Sequence, residues 1–303
     1  MNYKKIIRSR ELRFKILRIF SWMPDSMMLR LQYRIKMGFW PNFKHPKRFT
    51  EKVQLYKMYY RNSVMHQCVD KYKVRGYLEK RGFGHLLNTL YGVYDRAEEI
   101  DFSALPDRFV IKTTNGGGGL NVMICKDKSS FDTDAAIAKL NSWIDEKKVS
   151  PGREWAYAGI EKSRIIVEEC LENEKNPRAG LEDFKFFCFN GTPFCIVNDC
   201  DRYSGHKRNF YDMNWINLNI SSDCPMFDDL GKKPDGLEKM TEVATALSKD
   251  FPFVRVDLYY TQGQVYFGEL TFYPWSGYVK FEPDTFDYKL GELFNTTSFC
   301  KFQ

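Results

Sequence analysis

No stretch of this 303-residue sequence approaches the length of a membrane-spanning helix, about eighteen consecutive apolar residues. The opening "MNYKKIIRSRELRFKILRIF" also lacks the apolar core and small-residue cleavage site of a secretory leader. Both absences lead to the expectation of a cytoplasmic protein. The eight cysteines are scattered, none forms C-x-x-C, and several sit inside apolar runs, so reduced, buried thiols are expected rather than zinc or bridges. Histidine is scarce as well. His45, His66, His85 and His206 stand apart, so neither a histidine metal site nor a Cys-His dyad is spelled out. Internal repeats, low-complexity tracts and nucleic-acid-binding motifs are missing too, and no nucleic-acid partner is expected.

What is present is an aromatic-rich composition, 43% apolar, sufficient for one large core or for two or three modest ones. The net charge of +7 is uneven: Lys4, Lys5, Arg8, Arg10, Arg13, Lys15 and Arg18 face Glu11 alone in the first twenty residues. With Ile6, Ile7, Leu12, Phe14, Ile16, Leu17, Ile19 and Phe20 between them, this segment reads as a basic amphipathic helix. It suits an anionic membrane surface, such as the inner face of a cell membrane, or another polypeptide. A helix packed on its own domain with a solvated basic face fits equally.

Along the chain, residues 1–65 read as a basic helical region, with a break at Pro41 and Pro46 and a helix start at Thr50. "CVDKYKVRGYLEKRG" reads as one short charged helix ended by Gly82. "LNTLYGVYD" and "ALPDRFVIKTT" read as strands, "LNVMICKD" as the return of a hairpin, "SFDTDAAIAKLNSWIDEK" as a helix and "SRIIVEECL" as a strand. Beyond residue 171, "DFKFFCF" and "TPFCIVND" flank Asn190-Gly191, a pair suited to a two-residue turn needing positive φ twice. "GLEKMTEVATALSKDF" is an amphipathic helix, and "FVRVDLYYTQGQVYFGELTFYPWSG" a second hairpin.

Two features carry chemistry. In "FVIKTTNGGGGL", Lys112 precedes the glycines, which excludes a Walker loop, and the G-x-G-x-x-G dinucleotide fingerprint fits no better. A hairpin whose glycine tip folds over a nucleotide remains, beside the plainer reading of a slack loop. In the last hairpin, a three-residue loop Gln262 to Gln264 would set Asp257 opposite Glu269 on one face. Like charges placed so ask for a cation, and hard oxygen ligands suit magnesium. Two unrelated surface acids are the alternative.

Together these residues resemble the ATP-grasp superfamily: a lysine strand before a glycine hairpin, an acidic hinge in "IIVEECL", a lysine in "DFKFF", then R-x-D and E-x-T. "NFKHPKRFTEKVQLYK", "DKYKVRGYL", "DFKFFCFNG", "VRVDLY" and "FGELTFYPWSG" resemble more closely its TupA-like branch, associated with polysaccharide biosynthesis, from about Phe43 to Gly291. The resemblance implies an α+β fold in which two lobes with antiparallel sheets enclose ATP, behind the helical N-terminal region. The lobes would span 66–170, with the glycine lid, and 171–303, with the metal-binding hairpin. It implies that Lys71, Lys112 and the N–H groups of Gly116, Gly117, Gly118 and Gly119 contact the ATP phosphates. Glu168, Glu169, Cys170 and Leu171 would form the adenine hinge, and Lys185 would reach adenine or phosphates. Asp257 and Glu269 would hold Mg2+, with Thr271 where many such ligases carry asparagine. Arg255 would neutralise the transferring phosphoryl group. Glu172 and Glu174 are candidates for the ribose.

The implied reaction is ATP-dependent amide ligation: a uronic-acid carboxylate of a capsular or exopolysaccharide, or of its precursor, is activated as an acyl phosphate and joined to an amino acid or related amine. In the loop "DRYSGHKR", Arg202, His206, Lys207 and Arg208 are candidates for holding the anionic substrate, or form a solvated loop. Two other readings stand beside this one. Asp199 and Asp201 form a D-x-D of the kind glycosyltransferases use to hold a metal and a nucleotide-sugar diphosphate. A non-catalytic nucleotide-binding scaffold at a membrane assembly is the other.

Overall fold

The computed structural model describes residues 17, 19–116, 121–145, 152–173, 180–200, 205–227 and 232–300. Outside them lie most of the basic N-terminal segment and Gly117, Gly118, Gly119, Glu174, Asp201 and Arg202.

Helix α1 (Asp25–Met37) follows Pro24 and buries Met28, Leu29, Tyr33 and Met37 on one face. The stretch with Pro41 and Pro46 is non-helical, as expected, and α2 (Phe49–Tyr59) follows it. It starts at Phe49, one residue before the expected Thr50, whose hydroxyl donates to Asp287 Oδ2 at 2.8 Å. The single helix expected beyond Cys68 is two, α3 (Val64–Val69) and α4 (Lys73–Lys80). Asp70 breaks it: its carboxylate accepts from the N–H groups of Tyr72 and Lys73, both at 2.9 Å, and so caps a new start.

The first sheet is antiparallel throughout, in the order β1-β4-β2-β3: β1 (Leu90–Tyr94), β2 (Phe109–Thr113), β3 (Val122–Cys125) and β4 (Ile165–Glu169). Period two in β2 sends Phe109, Ile111 and Thr113 to the buried face and leaves Val110 and Lys112 half-buried on the other. Leu140 of α5 (Thr133–Asp145) joins Phe109, Ile111, Ile165 and Val167 in a small core. The short helix α6 (Trp155–Ala158) precedes β4.

The second sheet, also antiparallel, runs β7-β6-β5-β8-β9: β5 (Asp183–Phe189), β6 (Thr192–Cys200), β7 (Lys207–Asp212), β8 (Phe253–Thr261) and β9 (Gln264–Thr271). Asn190 and Gly191, at φ 50° and 80°, form the expected two-residue turn of the β5–β6 hairpin. Helix α7 (Leu237–Ser248) packs with Phe184 and Phe186 on one side of this sheet. On the other side, Phe49 of α2 meets Phe187, Phe189 and Phe253, and Phe294 beyond α8 (Thr285–Leu293), at ring distances of 4.9–6.1 Å. The helices around residues 49–80 therefore share the second sheet's core. Among the described residues no disulfide joins the cysteines, and no helix is long and apolar enough to cross a membrane.

Candidate active site

A cavity of about 290 Å3 opens where the two sheets meet. The first sheet lines it with Val110, Lys112, Val122, Ile124, Glu168 and Glu169, the connection after β4 with Cys170 to Asn173, and the second sheet with Tyr259, Phe267, Gly268 and Glu269. Register sets the order inside. Val110 lies opposite both Glu168 and Ile124, at the hinge, while Lys112 lies two residues nearer the glycine tip, opposite Val122. One end is thus apolar and hinge-bound, the other cationic.

At the cationic end, the Lys112 ammonium pairs with Glu168 Oε2 at 2.5 Å, and the Lys71 ammonium donates to the carbonyl of Gly116. Lys71 is also tied to the residue that follows β2 through its backbone N–H, which donates to Thr114 O at 3.0 Å. Burial pulls the Lys71 ammonium below its ordinary range; Glu269 opposes this and Lys112 adds to it. Four expected residues, Lys71, Lys112, Gly116 and Glu269, therefore meet in one place.

The hinge differs from the expectation in one respect. Both carboxylates line the cavity but already have protein partners: Glu168 is buried between Arg75, 3.3 Å away, and Lys112, while Glu169 accepts from the N–H and hydroxyl of Thr89 at 3.1 and 2.8 Å. Cys170 and Leu171 line the cavity beyond them. Glu172 lines it too but is paired with Arg108, Nη1 to Oε2 at 2.6 Å. Arg75, Asn88 and Tyr157 also line it, and sequence reasoning missed them. The one available signal was the arginine in "DKYKVRGYL", one turn on from Lys71.

Across the second sheet a row of charged side chains shares one face. Arg208 lies opposite Asp199 and Asp199 opposite Asp183; Lys185 lies opposite Asp257, Asp257 opposite Glu269, and Arg255 opposite Thr271. The hairpin loop has two residues, not three, since Thr261 pairs with Gln264. A two-residue loop alone would separate Asp257 from Glu269. A bulge at Gly268 restores the pairing by inserting one residue between Phe267 and Glu269. Only glycine fits there, because a Cβ would stand 2.9 Å from the Asp257 carbonyl oxygen.

The cation between these acids is Arg255. Its Nε and Nη2 donate to the two oxygens of Asp257 at 2.7 and 2.6 Å, and Nη2 also reaches Glu269 Oε1 at 3.2 Å and Thr271 Oγ1 at 3.1 Å. Thr271 donates to Glu269 Oε1 at 3.0 Å. Burial pushes the Asp257 carboxyl up, against Arg255 and Lys185. For Glu269 burial is outweighed by Lys71, Arg255 and Lys185, which hold the carboxyl at about 2. Asp257 and Glu269 supply hard oxygens, with the Thr271 hydroxyl beside them, a donor set that suits magnesium completed by phosphate oxygens. They differ in reach: the Glu269 side chain is 41% exposed and lines the cavity, whereas Asp257 is 3% exposed beneath it. Among the described residues no group of three or more His, Cys, Asp or Glu side chains forms a metal cage.

Lys185 is not among the cavity's lining residues; it lies beneath, against Asp183 and 3.5 Å from both Asp199 and Asp257. The basic loop is likewise compensated from within. Arg208 is buried, with Nε 2.5 Å from Asp199 and Nη1 2.5 Å from Asp223, and His206 Nε2 lies 3.2 Å from Asp199. Lys207 is half-buried at the start of β7. Asp199, enclosed by Lys185, Arg208 and the His206 ring, does not present a carboxylate to a metal-bound diphosphate as the D-x-D reading requires.

The family described as TupA-like ATPgrasp matches residues 51–295. No curated protein matches the sequence significantly. Among solved structures, a D-alanine–D-alanine ligase from Bacillus anthracis is similar at 20% identity and a TM-score of 0.40, covering 68% of this chain and 57% of that one. Its counterpart from Helicobacter pylori shares 16% identity at 0.44, with 82% and 70% covered. A phosphoribosylamine–glycine ligase from Thermotoga maritima shares 16% at 0.41, with 69% and 48% covered. This chain thus spans little more than half of the first of these.

Proposed function

The chain belongs to the TupA-like ATP-grasp family, and from that premise we propose that it is an ATP-dependent, ADP-forming ligase joining a uronic-acid carboxylate of a glycan or its precursor to an amino acid or related amine. The observation that carries the reading is the meeting of Lys71, Lys112, the Gly116 backbone and Glu269 in one cavity between two antiparallel sheets. Val110, Ile124 and Leu171 offer apolar walls for a base beside the hinge, and the two lysines a seat for phosphates. Gly117, Gly118 and Gly119 would close the phosphate end through backbone N–H groups.

In the first step a carboxylate oxygen bonds to the γ-phosphorus and the bond to the bridging oxygen breaks, releasing ADP. In the second the amine nitrogen attacks the acyl carbon and loses its proton, and phosphate leaves. No enzyme nucleophile is consumed; the chain positions reactants and neutralises charge. Arg255, held in one orientation by Asp257 and, like Lys185, absent from the cavity's lining, would offset the phosphoryl charge from beneath Glu269. Glu269, with Asp257 and Thr271 behind it, would hold magnesium, which when bound neutralises phosphate oxygens.

Phosphate release from ATP should require both a uronic acid and an amine. Lys112→Ala and Glu269→Ala should each weaken Mg·ATP binding, read by calorimetry, by roughly tenfold or more. Folded variants that bind Mg·ATP like the parent would sink the proposal, and turnover of a nucleotide sugar instead would favour the transferase.

A further inference from the structure

Helix α1 has a second face that the core does not use. Met27, Leu31 and Ile35, one turn apart, are 57%, 39% and 46% exposed, while Met28, Leu29, Tyr33 and Met37 hold the helix to the protein. Trp22 before the helix and Trp40 after it are 75% and 63% exposed. The turn that carries Trp22 is built: the Arg153 guanidinium donates to the carbonyls of Phe20, Ser21 and Met23 at 3.0–3.1 Å and to Asp25 at 2.8 Å. Exposed Arg30 and Arg34 flank the apolar stripe.

Charge identifies what fits this face. The first forty residues hold ten lysines and arginines against Glu11 and Asp25, an excess of eight in a chain whose net charge is +7, so the remainder is near neutral. A second copy would set Arg30 and Arg34 against their own like. Anionic lipid headgroups complement the arginines, and the acyl boundary accepts the stripe and the two indoles. We propose that the α1 face, from Trp22 to Trp40, is a peripheral docking surface for an anionic lipid bilayer, with the basic N-terminal segment adding attraction. This is independent of the ligase reading.

The test is co-sedimentation of the full chain with vesicles of phosphatidylcholine, with and without phosphatidylglycerol. Binding is expected only with the anionic lipid, with quenching of tryptophan emission by brominated acyl chains that Trp22→Phe diminishes. Replacing Met27, Leu31 and Ile35 together by serine should lower the partition coefficient on the order of tenfold, and Arg30→Glu with Arg34→Glu by at least as much. These positions are exposed, and unchanged thermal melting confirms that the variants fold. Failure to bind anionic vesicles overturns the proposal. So does binding that the serine variant leaves unchanged, or a dimer in light scattering that the serine variant dissolves.

Discussion

The two sheets meet one cavity with different surfaces. The four-stranded sheet turns Val110, Val122 and Ile124 toward it with Lys112 as its cation, over a core of nine buried apolar residues. The five-stranded sheet brings Glu269 forward from a buried charged row and stands on a core of forty-two, counted among the described residues. A guanidinium held by two carboxylates and a hydroxyl cannot turn without stranding charge. A lysine paired with one carboxylate, itself shared with Arg75, can. The second sheet is therefore the preorganised half of the site and the first the adjustable half.

The largest test of that contrast is Arg255→Met. It leaves Asp257 buried without its bidentate partner, and urea unfolding should report a loss of about 3–5 kcal/mol. A loss below about 1 kcal/mol would put this row on a level with exposed pairs and erase the distinction.

Next is Lys57, buried in the helical layer of the large core, where it donates to Ser276 O and Oγ, both at 2.8 Å. Burial pulls its pKa from 10.5 down to about 7, with Glu154 partly opposing. Between these values the unfolded chain binds the proton that the folded one releases, so stability rises with pH across that window. The slope is at most about 1.4 kcal/mol per pH unit. Compared by urea unfolding at pH 7.5 and 9.5, roughly, Lys57→Met should lack that rise. An identical pH profile in parent and variant would show that Lys57 is charged in the fold.

Smaller again is Gly268→Ala. The added methyl meets the Asp257 carbonyl and should cost about 1–3 kcal/mol, with loss of Mg·ATP binding as the bulge yields. Preserved binding would mean that the pairing of Asp257 with Glu269 does not depend on the bulge. Last, Lys112→Met should change stability by no more than about 1 kcal/mol, because its partner Glu168 keeps Arg75.

Much of this was legible in the chain. Asn190-Gly191 specifies its turn because both positions need positive φ, and the alternation in "FVIKT" assigns Lys112 to the open face. The facing of Asp257 and Glu269 was also readable, though through the wrong loop: residue spacing alone does not reveal that Gly268 is a bulge rather than part of a regular strand. Nor did it reveal that the cation between the acids is Arg255, since i, i+2 neighbours on a strand share a face but their rotamers are chosen by packing. Asp70 was legible as a polar residue but not as a break, because a helix-compatible pattern runs on both sides of it. The partners of Glu168, Arg75 and Asn88, come from a distant helix and loop, and only the fold brings them near.

The central place of β5 has a consequence for the chain as it is made. Its hairpin with β6 closes locally, but its other edge pairs with β8, Asp183 with Tyr259 and Phe189 with Phe253. During synthesis from the N-terminus, "DFKFFCF" therefore leaves the ribosome well before the strand that covers that edge, and it waits with an open backbone ladder flanked by phenylalanines. A chain stopped after Ser248 would keep that edge permanently, and aggregation of such nascent fragments is the hazard this strand order carries.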